Sequence, residues 1–203
     1  AQMATPLSKG LFSAAIGESG AVLGGPLATL EKAEENGVRF MKAANKASVA
    51  EVRQMKAEEL FDVSLRPGLG GFPVTVDGYF FPEQPVQIYS KGKQMDIPLL
   101  AGWNSAEVTY HSFLGDLSPN MENFQKKVKE IYGDRAEDIL RQYKANTDAE
   151  VKQVATDLAS DRFINFGTWK WIDLHSKTNG HPVYRYLFSK MIPTSETDKE
   201  PLL

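Results

Sequence analysis

Short apolar runs alternate with amphipathic stretches along this chain, and that order constrains the fold more than any other feature. The apolar runs at residues 14–18, 96–101 and 183–188 are predicted to be strands. Residues 26–46 and 148–175 repeat their apolar side chains at helical spacing. The order of strand, helices, strand, helices and strand is typical of an α/β protein. At 203 residues and 42% hydrophobic content, the chain is long enough for such a core.

Local signals divide the helical stretches. The Asn36–Gly37 pair is expected to break the first stretch in two. Ser48 is expected to cap the next short helix, with Glu51 as its capping-box partner. The other predicted helices cover residues 56–63, 107–113, 121–132 and 136–143.

Charge and composition exclude several classes of partner. The formal net charge of −3, with both signs interspersed, gives no field that would attract nucleic acid. No apolar run reaches the roughly 18 residues of a membrane span, so none is predicted. The chain contains no cysteine, which excludes a disulfide framework and thiol catalysis. Cysteine usage leaves the compartment open, with a secreted or periplasmic location preferred.

One carboxylate stands at the end of a predicted strand. Residues 99–107 run from an apolar strand into a polar loop that ends on Glu107, in the sequence LLAGWNSAE. A carboxylate there can orient a catalytic histidine and stabilise the imidazolium formed during acyl transfer. The alternative is an ordinary carboxylate at a helix start, stabilised by about 0.3–1 kcal/mol. His111 lies four residues on and could pair with it, but that pair is not expected to be catalytic.

A nucleophile for such chemistry is harder to find. Hydrolases that use a catalytic triad on an α/β sheet order it as Ser, then Asp or Glu, then His. The literal match in this chain is Ser19, Glu107 and His181. Ser19 lies in the sequence GESGA, which departs from the nucleophile-elbow pattern G-x-S-x-G at Ala21. This single departure does not by itself exclude an elbow at this serine.

Four segments, in order along the chain, resemble the type-B carboxylesterase and cholinesterase-like family of α/β-hydrolases. Residues 6–20 (PLSKGLFSAAIGESG) resemble the family's S-P-x-(S/A)-K-G-L-F-x-x-A-I-x-Q-S-G, and residues 73–82 (PVTVDGYFFP) its P-V-x-D-G-x-x-(L/I)-P. Residues 102–107 (GWNSAE) are similar to its acid motif G-x-N-x-x-E-G, with Val108 replacing the last glycine. Residues 160–163 (SDRF), followed by Trp169, and then residues 180–188 (GHPVYRYLF) are similar to its late helix and its strand P-V-Y-x-Y-x-F.

The resemblance implies a partial α/β-hydrolase domain over residues 1–203, with a mixed, mostly parallel sheet, flanking helices and a helical insertion at residues 117–146. In the family, the elbow G-E-S-A-G precedes these segments and the histidine follows them. The chain is therefore expected to be an internal part of a serine carboxylesterase, to supply Glu107 as the triad acid, and to be inactive alone. The implied partners are a small-molecule ester and the remainder of the same polypeptide. No metal or organic cofactor is implied.

The same resemblance gives Ser19 a role. It implies that this serine hydrogen-bonds the acid or the histidine and so orients it, whereas the simpler reading is that Ser19 only closes the turn. Glu18 stands where the family usually has glutamine. Two other functions stay open: a non-catalytic cholinesterase-like binding or adhesion domain, and a self-contained small hydrolase that uses Ser19, Glu107 and His181.

Burial is the last property that the sequence predicts. His175 and His181 flank a turn signal at Asn179–Gly180 and are expected to be exposed loop residues without metal-ligand spacing. Apolar sheet edges are expected to be exposed. The aromatic residues of the last helix and strand are expected in the core, namely Trp169, Trp171, Tyr184, Tyr186 and Phe188.

Overall fold

A three-stranded parallel sheet organises the chain in the computed structural model, which describes residues 1–20, 22–69 and 71–190. The middle strand of this sheet is the fourth in chain order, flanked by the first and the fifth. The second and third strands form a separate parallel pair. The predicted α/β class is confirmed. The strands are β1 (Ala15–Glu18), β2 (Ala28–Thr29), β3 (Thr75–Val76), β4 (Leu99–Asn104) and β5 (Val183–Phe188).

Helices connect the strands, as parallel pairing requires. Among the described residues, none of these helices has the length and apolar character needed to cross a membrane. Short 3₁₀ turns lie at Pro6–Ser8 and Gly133–Arg135, and a π turn at Asp161–Asn165. The α-helices are α1 (Leu30–Ala43), α2 (Val49–Val52), α3 (Ala57–Ser64), α4 (Pro85–Ser90), α5 (His111–Leu114), α6 (Met121–Tyr132), α7 (Ala136–Gln142), α8 (Asp148–Ser160) and α9 (Phe166–Thr178).

Helix α1 runs unbroken through the Asn36–Gly37 pair, so the predicted break is wrong. Asn36 is buried, and its side chain donates to the Gly71 carbonyl at 3.2 Å. The Arg39 guanidinium donates to the Asn36 side-chain oxygen at 3.1 Å. These tertiary contacts outweigh the weak local preference of Asn-Gly for a turn.

The predicted cap of α2 is confirmed. The Glu51 backbone N–H donates to the Ser48 hydroxyl at 3.2 Å. The Glu51 carboxylate accepts from the Ala47 N–H at 3.2 Å, one residue before the position that a standard capping box uses.

The helical prediction for residues 148–175 is confirmed, and the helix continues to Thr178 with a π turn that joins α8 to α9. The N–H of Phe166 donates to the carbonyl of Asp161, five residues earlier, which defines the wide turn. The Asp161 carboxylate accepts from the Tyr143 hydroxyl at 2.6 Å and from the Asn165 amide at 3.3 Å.

Two apolar clusters stabilise the structure. The sheet cluster packs α4 and α9 against β4, with Leu99 and Trp171 among its buried members. The helical cluster joins α5, α6 and α8 through residues such as Phe124 and Val151. Residues 117–146 contribute α6 and α7 to the helical cluster, so their helices are confirmed, whereas their status as an insertion stays a prediction.

The aromatic side chains near the end of the chain are less buried than predicted. Trp171 is buried in the sheet cluster, as expected, and Tyr186 is half-buried. Trp169, Tyr184 and Phe188 are exposed, so placing them in the core was wrong. Tyr184 and Phe188 lie on β5, which is an edge strand of the described sheet and has a neighbour on one side only.

The other edge strand also exposes apolar surface. Ile16 on β1 is 69% exposed and Leu187 on β5 is 57% exposed. The expectation of exposed apolar sheet edges is confirmed for the described strands.

His175 is fully buried on α9, so its predicted place in an exposed loop was wrong. Its Nε2 donates to the Ile97 carbonyl at 2.9 Å, which leaves Nδ1 to accept from the Gln94 amide at 3.3 Å. Helix α9 extends to Thr178 and carries the histidine inside, beyond the reach of the turn signal that follows. His181 is exposed, as expected.

The pH dependence of stability should report on His175. Burial lowers the pKa of His175 below its ordinary value of 6.5, because desolvation disfavours the imidazolium. The unfolded chain then binds this proton more readily, so the stability is fully present above pH 6.5 and falls as the pH drops towards the lower folded pKa. Urea unfolding between pH 7.5 and 5 measures how steeply the free energy of unfolding falls with pH. In His175→Gln this dependence should be weaker, by up to about 1.4 kcal/mol per pH unit. The exposed control His111→Gln should keep it, and equal slopes in the two variants would contradict the assignment.

Gly102 allows β4 and β5 to approach. A Cβ atom at Gly102 would overlap the carbonyl oxygen and the ring of Tyr186. Gly102→Ala should therefore lower the free energy of unfolding by about 1–3 kcal/mol through overpacking. Gly25→Ala is the matched control, because its Cβ would meet open space. Urea denaturation measures both variants, and similar midpoints would refute the close approach.

Candidate active site

The loops that follow β1 and β4 leave the sheet on the same side, at the carboxyl ends of the parallel strands, which form its carboxyl edge. Parallel pairing places Glu18 at the end of β1 opposite Gly102 near the end of β4. Ser19 follows β1, and its N–H donates to the Gly102 carbonyl at 2.9 Å. Glu107 follows β4 by three residues. In open α/β sheets this carboxyl edge is where ligands bind.

The structure brings Ser19 and Glu107 into direct contact. The Ser19 hydroxyl donates a hydrogen bond to Glu107 Oε1. Ser19 has a positive φ of +48°, which is uncommon for a residue other than glycine and marks a constrained turn. The serine therefore closes the turn through its N–H and also holds the carboxylate through its hydroxyl. The contact agrees with the role that the resemblance implied, and the catalytic part of that role stays a prediction.

Glu107 lies in a loop and not at a helix start. The helix predicted over residues 107–113 is shorter and begins at His111, so the alternative of a helix-dipole carboxylate is wrong. The backbone N–H of Asn104 donates to Glu107 Oε1 at 2.7 Å, and its side-chain amide donates to Oε2 at 3.3 Å. The end of β4 thus orients the carboxylate that follows it.

Ser160, at the end of α8, also holds this loop, a role that the sequence analysis did not assign to it. The backbone N–H of Glu107 donates to the Ser160 hydroxyl at 3.0 Å, and Ser160 is fully buried. The two residues lie 53 positions apart in the chain. No local pattern marks a serine at the end of a helix as a partner of a distant loop.

His111 does not pair with Glu107 in this structure. Its Nδ1 bonds the Gly115 carbonyl at 3.0 Å, and its ring lies against Tyr110 with centroids 4.1 Å apart. The prediction that this pair is not catalytic is consistent with these contacts.

His181 and Glu107 lie at opposite ends of the strands: His181 precedes β5, whereas Glu107 follows β4. His181 precedes β5 by two residues, and the first residue of β5, Val183, pairs with the first residue of β4, Leu99. The 6 residues of β4, at about 3.3 Å per residue, separate the two ends of the sheet by roughly 20 Å. The alternative catalytic set of Ser19, Glu107 and His181 is therefore not assembled.

Tyr186 adds to the electrostatics of this edge. It lies on β5 opposite Gly102. Desolvation raises the pKa of the Tyr186 phenol, and the negative charges of Glu18 and Glu107 raise it further. The phenol therefore stays protonated at neutral pH and can act as a hydrogen-bond donor.

Cavities flank the end of β4. One of about 690 Å³ and one of about 520 Å³ share the wall residues Trp103, Tyr143, Asp161 and Asn165. A larger apolar groove of about 900 Å³ lies among α1, α2 and α3, away from Ser19 and Glu107. Across the described residues, no group of three or more His, Asp or Glu side chains could hold a metal ion.

The chain resembles carboxylesterases in both fold and sequence. The fold is that of the α/β-hydrolases: the carboxylesterase EST55 of Geobacillus stearothermophilus aligns with a TM-score of 0.71 and 25% identity, over 95% of this chain and 41% of that one. A PNB esterase aligns with a TM-score of 0.62, over 92% of this chain and 40% of that one, at 22% identity. The model of the carboxylesterase family matches residues 1–201, and the chain belongs to that family.

The curated relatives of this chain are also named as an esterase and a hydrolase. The fumonisin B1 esterase of Sphingopyxis macrogoltabida is 30% identical over 92% of this chain and 35% of its own length. A medium-chain fatty acyl-CoA hydrolase precursor of Anas platyrhynchos is 26% identical over 91% of this chain and 36% of its own length. The chain thus spans little more than a third of either relative.

The contact between Ser19 and Glu107 can be measured by a double-mutant cycle. A hydrogen bond to a charged group contributes about 1.5–3 kcal/mol, so Ser19→Ala and Glu107→Gln should be coupled by about 1 kcal/mol or more in urea unfolding. Ser13→Ala, at an exposed serine before β1, is the matched control and should show no coupling to Glu107→Gln. Additive effects of Ser19→Ala and Glu107→Gln would refute the contact.

Proposed function

We propose that this chain is the acid-bearing part of a serine carboxylesterase that hydrolyses carboxylic esters through an acyl-serine intermediate. The observation that carries the proposal is the position of the Glu107 carboxylate, at the carboxyl edge of β4 and bonded to Ser19 and Asn104. Membership of the carboxylesterase family supports ester hydrolysis as the general chemistry. The serine and the histidine are proposed to come from the remainder of the same polypeptide.

The hydrogen bonds of Glu107 leave room for a histidine. An ionised carboxylate offers about four acceptor sites. Ser19 and the Asn104 N–H occupy Oε1, whereas Oε2 accepts only a longer bond from the Asn104 amide among the contacts of the described residues. Oε2 can therefore accept the N–H of an imidazole. Glu107 would fix the tautomer of that ring and leave its other nitrogen free to act as a base.

The proposed reaction has two steps. The histidine takes the proton of the serine hydroxyl as the serine oxygen attacks the ester carbonyl, and it returns that proton to the departing alcohol. Water then attacks the acyl-serine with the same histidine as base, which releases the carboxylic acid and restores the serine. Glu107 accepts a hydrogen bond throughout and stabilises the imidazolium in both steps.

The proposed substrate is a small-molecule carboxylic ester. Two relatives are a fumonisin B1 esterase and a medium-chain fatty acyl-CoA hydrolase precursor, and both names describe hydrolysis of an acyl compound. The net charge of −3 gives no reason to expect a polyanionic substrate such as nucleic acid.

The test replaces Glu107 in the polypeptide that contains this chain together with the serine and the histidine. Glu107→Gln should lower kcat for a p-nitrophenyl ester about 10³–10⁴-fold, because a neutral amide neither holds the correct tautomer nor stabilises the imidazolium. Glu18→Gln removes a neighbouring exposed carboxylate and should keep at least half of the activity. An initial burst of p-nitrophenol equal to the enzyme concentration would report the acyl-serine.

Three outcomes would overturn the proposal. Full activity of Glu107→Gln would remove the carboxylate from the mechanism. A polypeptide without turnover of any ester would favour the binding or adhesion alternative. Turnover by the 203-residue chain alone would show that it does not depend on a serine and a histidine from elsewhere.

A further inference from the structure

Ser160 uses its whole hydrogen-bonding capacity on the loop that carries Glu107. Its hydroxyl oxygen accepts from the backbone N–H of Glu107 at 3.0 Å and from that of Val108 at 3.4 Å. The same hydroxyl donates to the Val108 carbonyl at 3.3 Å. A hydroxyl has two acceptor lone pairs and one proton, so all three are directed to two successive residues of one loop.

These bonds lie in a buried place where they are hard to replace. The Ser160 side chain is fully buried, so water does not compete for its hydroxyl. Removal of the hydroxyl leaves two N–H groups and one carbonyl of the loop to find other partners. The loop would have to move to satisfy them.

The helix that carries Ser160 is itself anchored at this point. Helix α8 ends at Ser160, and the π turn begins at the next residue, Asp161. The Asp161 carboxylate holds the Tyr143 hydroxyl at 2.6 Å and the Asn165 amide at 3.3 Å. A π turn inserts one residue into a helix and is frequent at functional sites. Here the π turn follows directly after Ser160, which binds the loop that carries Glu107 (residues 105–110, the acid loop).

Glu107 is thus held from two sides. Ser19 and Asn104 hold its carboxylate, and Ser160 holds its backbone. A carboxylate that orients a catalytic histidine must keep its position closely, because a displacement of about 1 Å in a catalytic constellation can cost about 10²-fold in rate. The backbone anchor is therefore part of what sets the position of the acid.

We propose that Ser160 is a positioning residue for Glu107, acting through the backbone of the acid loop without touching the substrate. The inference rests on the proposed function of Glu107. It adds a serine on α8 to the residues that determine how well the acid orients the histidine.

The experiment compares Ser160→Ala with Thr168→Val in the polypeptide that contains the complete triad. Thr168 is also fully buried, and its hydroxyl donates to the Ile164 carbonyl at 3.0 Å, away from the acid loop. Ser160→Ala should lower kcat for a p-nitrophenyl ester about tenfold with little change in KM. The acidic limb of its pH–rate profile should shift to lower pH, because a displaced Glu107 stabilises the imidazolium less. Thr168→Val should keep the kcat and the profile of the parent protein.

A second variant and a second measurement keep the proposal open to refutation. Ser160→Cys keeps a weaker donor and acceptor at nearly the same size, so its kcat should lie between those of the parent and of Ser160→Ala. In the 203-residue chain, amide hydrogen exchange at Glu107 and Val108 should be about tenfold faster in Ser160→Ala than in Thr168→Val, with Ser160→Cys between the two.

The outcomes separate this proposal from the function on which it rests. If Glu107→Gln is inactive but both Ser160 variants keep the parent kcat and pH profile, the positioning role is refuted and the esterase proposal stands. If Thr168→Val loses as much kcat as Ser160→Ala, the effect is a general loss of packing and the positioning role is also refuted. If Glu107→Gln is fully active, the proposed function itself fails.

Discussion

The parallel pairing of β1 with β4 is the interaction on which the rest of the site depends. It aligns Glu18 with Gly102 and so places the residue after β1 beside the loop after β4, although Ser19 and Glu107 are 88 positions apart. A shift of one residue in this register would turn the side chains of β1 to the other face of the sheet. The glycines that allow close packing, Gly17 against Trp171 and Gly102 against Tyr186, restrict the alternatives further.

The site is built from backbone geometry more than from charge. Glu107 is oriented by an N–H at the end of a strand, by a serine in a strained turn and by a serine at the end of a helix. Each of these three groups belongs to a regular element or directly follows one. Rigid elements position a functional group more closely than a mobile loop can, which suits a carboxylate whose proposed task is orientation.

The sequence predicted the strands, most of the helices and the position of the Glu107 carboxylate after β4, because these depend on local pattern. Apolar periodicity located the strands β1, β4 and β5 to within about three residues, and the strand-to-loop transition singled out Glu107. The contact of Ser19 came from the family resemblance and not from any spacing rule. The wrong predictions share one physical cause. Tertiary contacts, which local sequence patterns do not show, decide which side chains are buried and whether a helix continues.

Particular residues show how that cause acts. Helix α1 continues through Asn36 because a distant carbonyl accepts from its side chain. His175 is buried because α9 continues past it to Thr178 and packs against the loop before β4. Tyr184 is exposed because its strand has one neighbour in the described sheet. The contact of Ser160 with the Glu107 loop could not be predicted from the sequence, since its partners lie more than 50 positions away.

The division into two apolar clusters has a consequence for how the site responds to heat or denaturant. The acid loop begins on β4, which belongs to the sheet cluster, and is tied to α8, which belongs to the helical cluster. Clusters of this kind often open as separate cooperative units, each with its own free energy. Opening of the helical unit alone would release one end of the loop while the sheet stays intact. Displacement of the Glu107 carboxylate would then precede global unfolding.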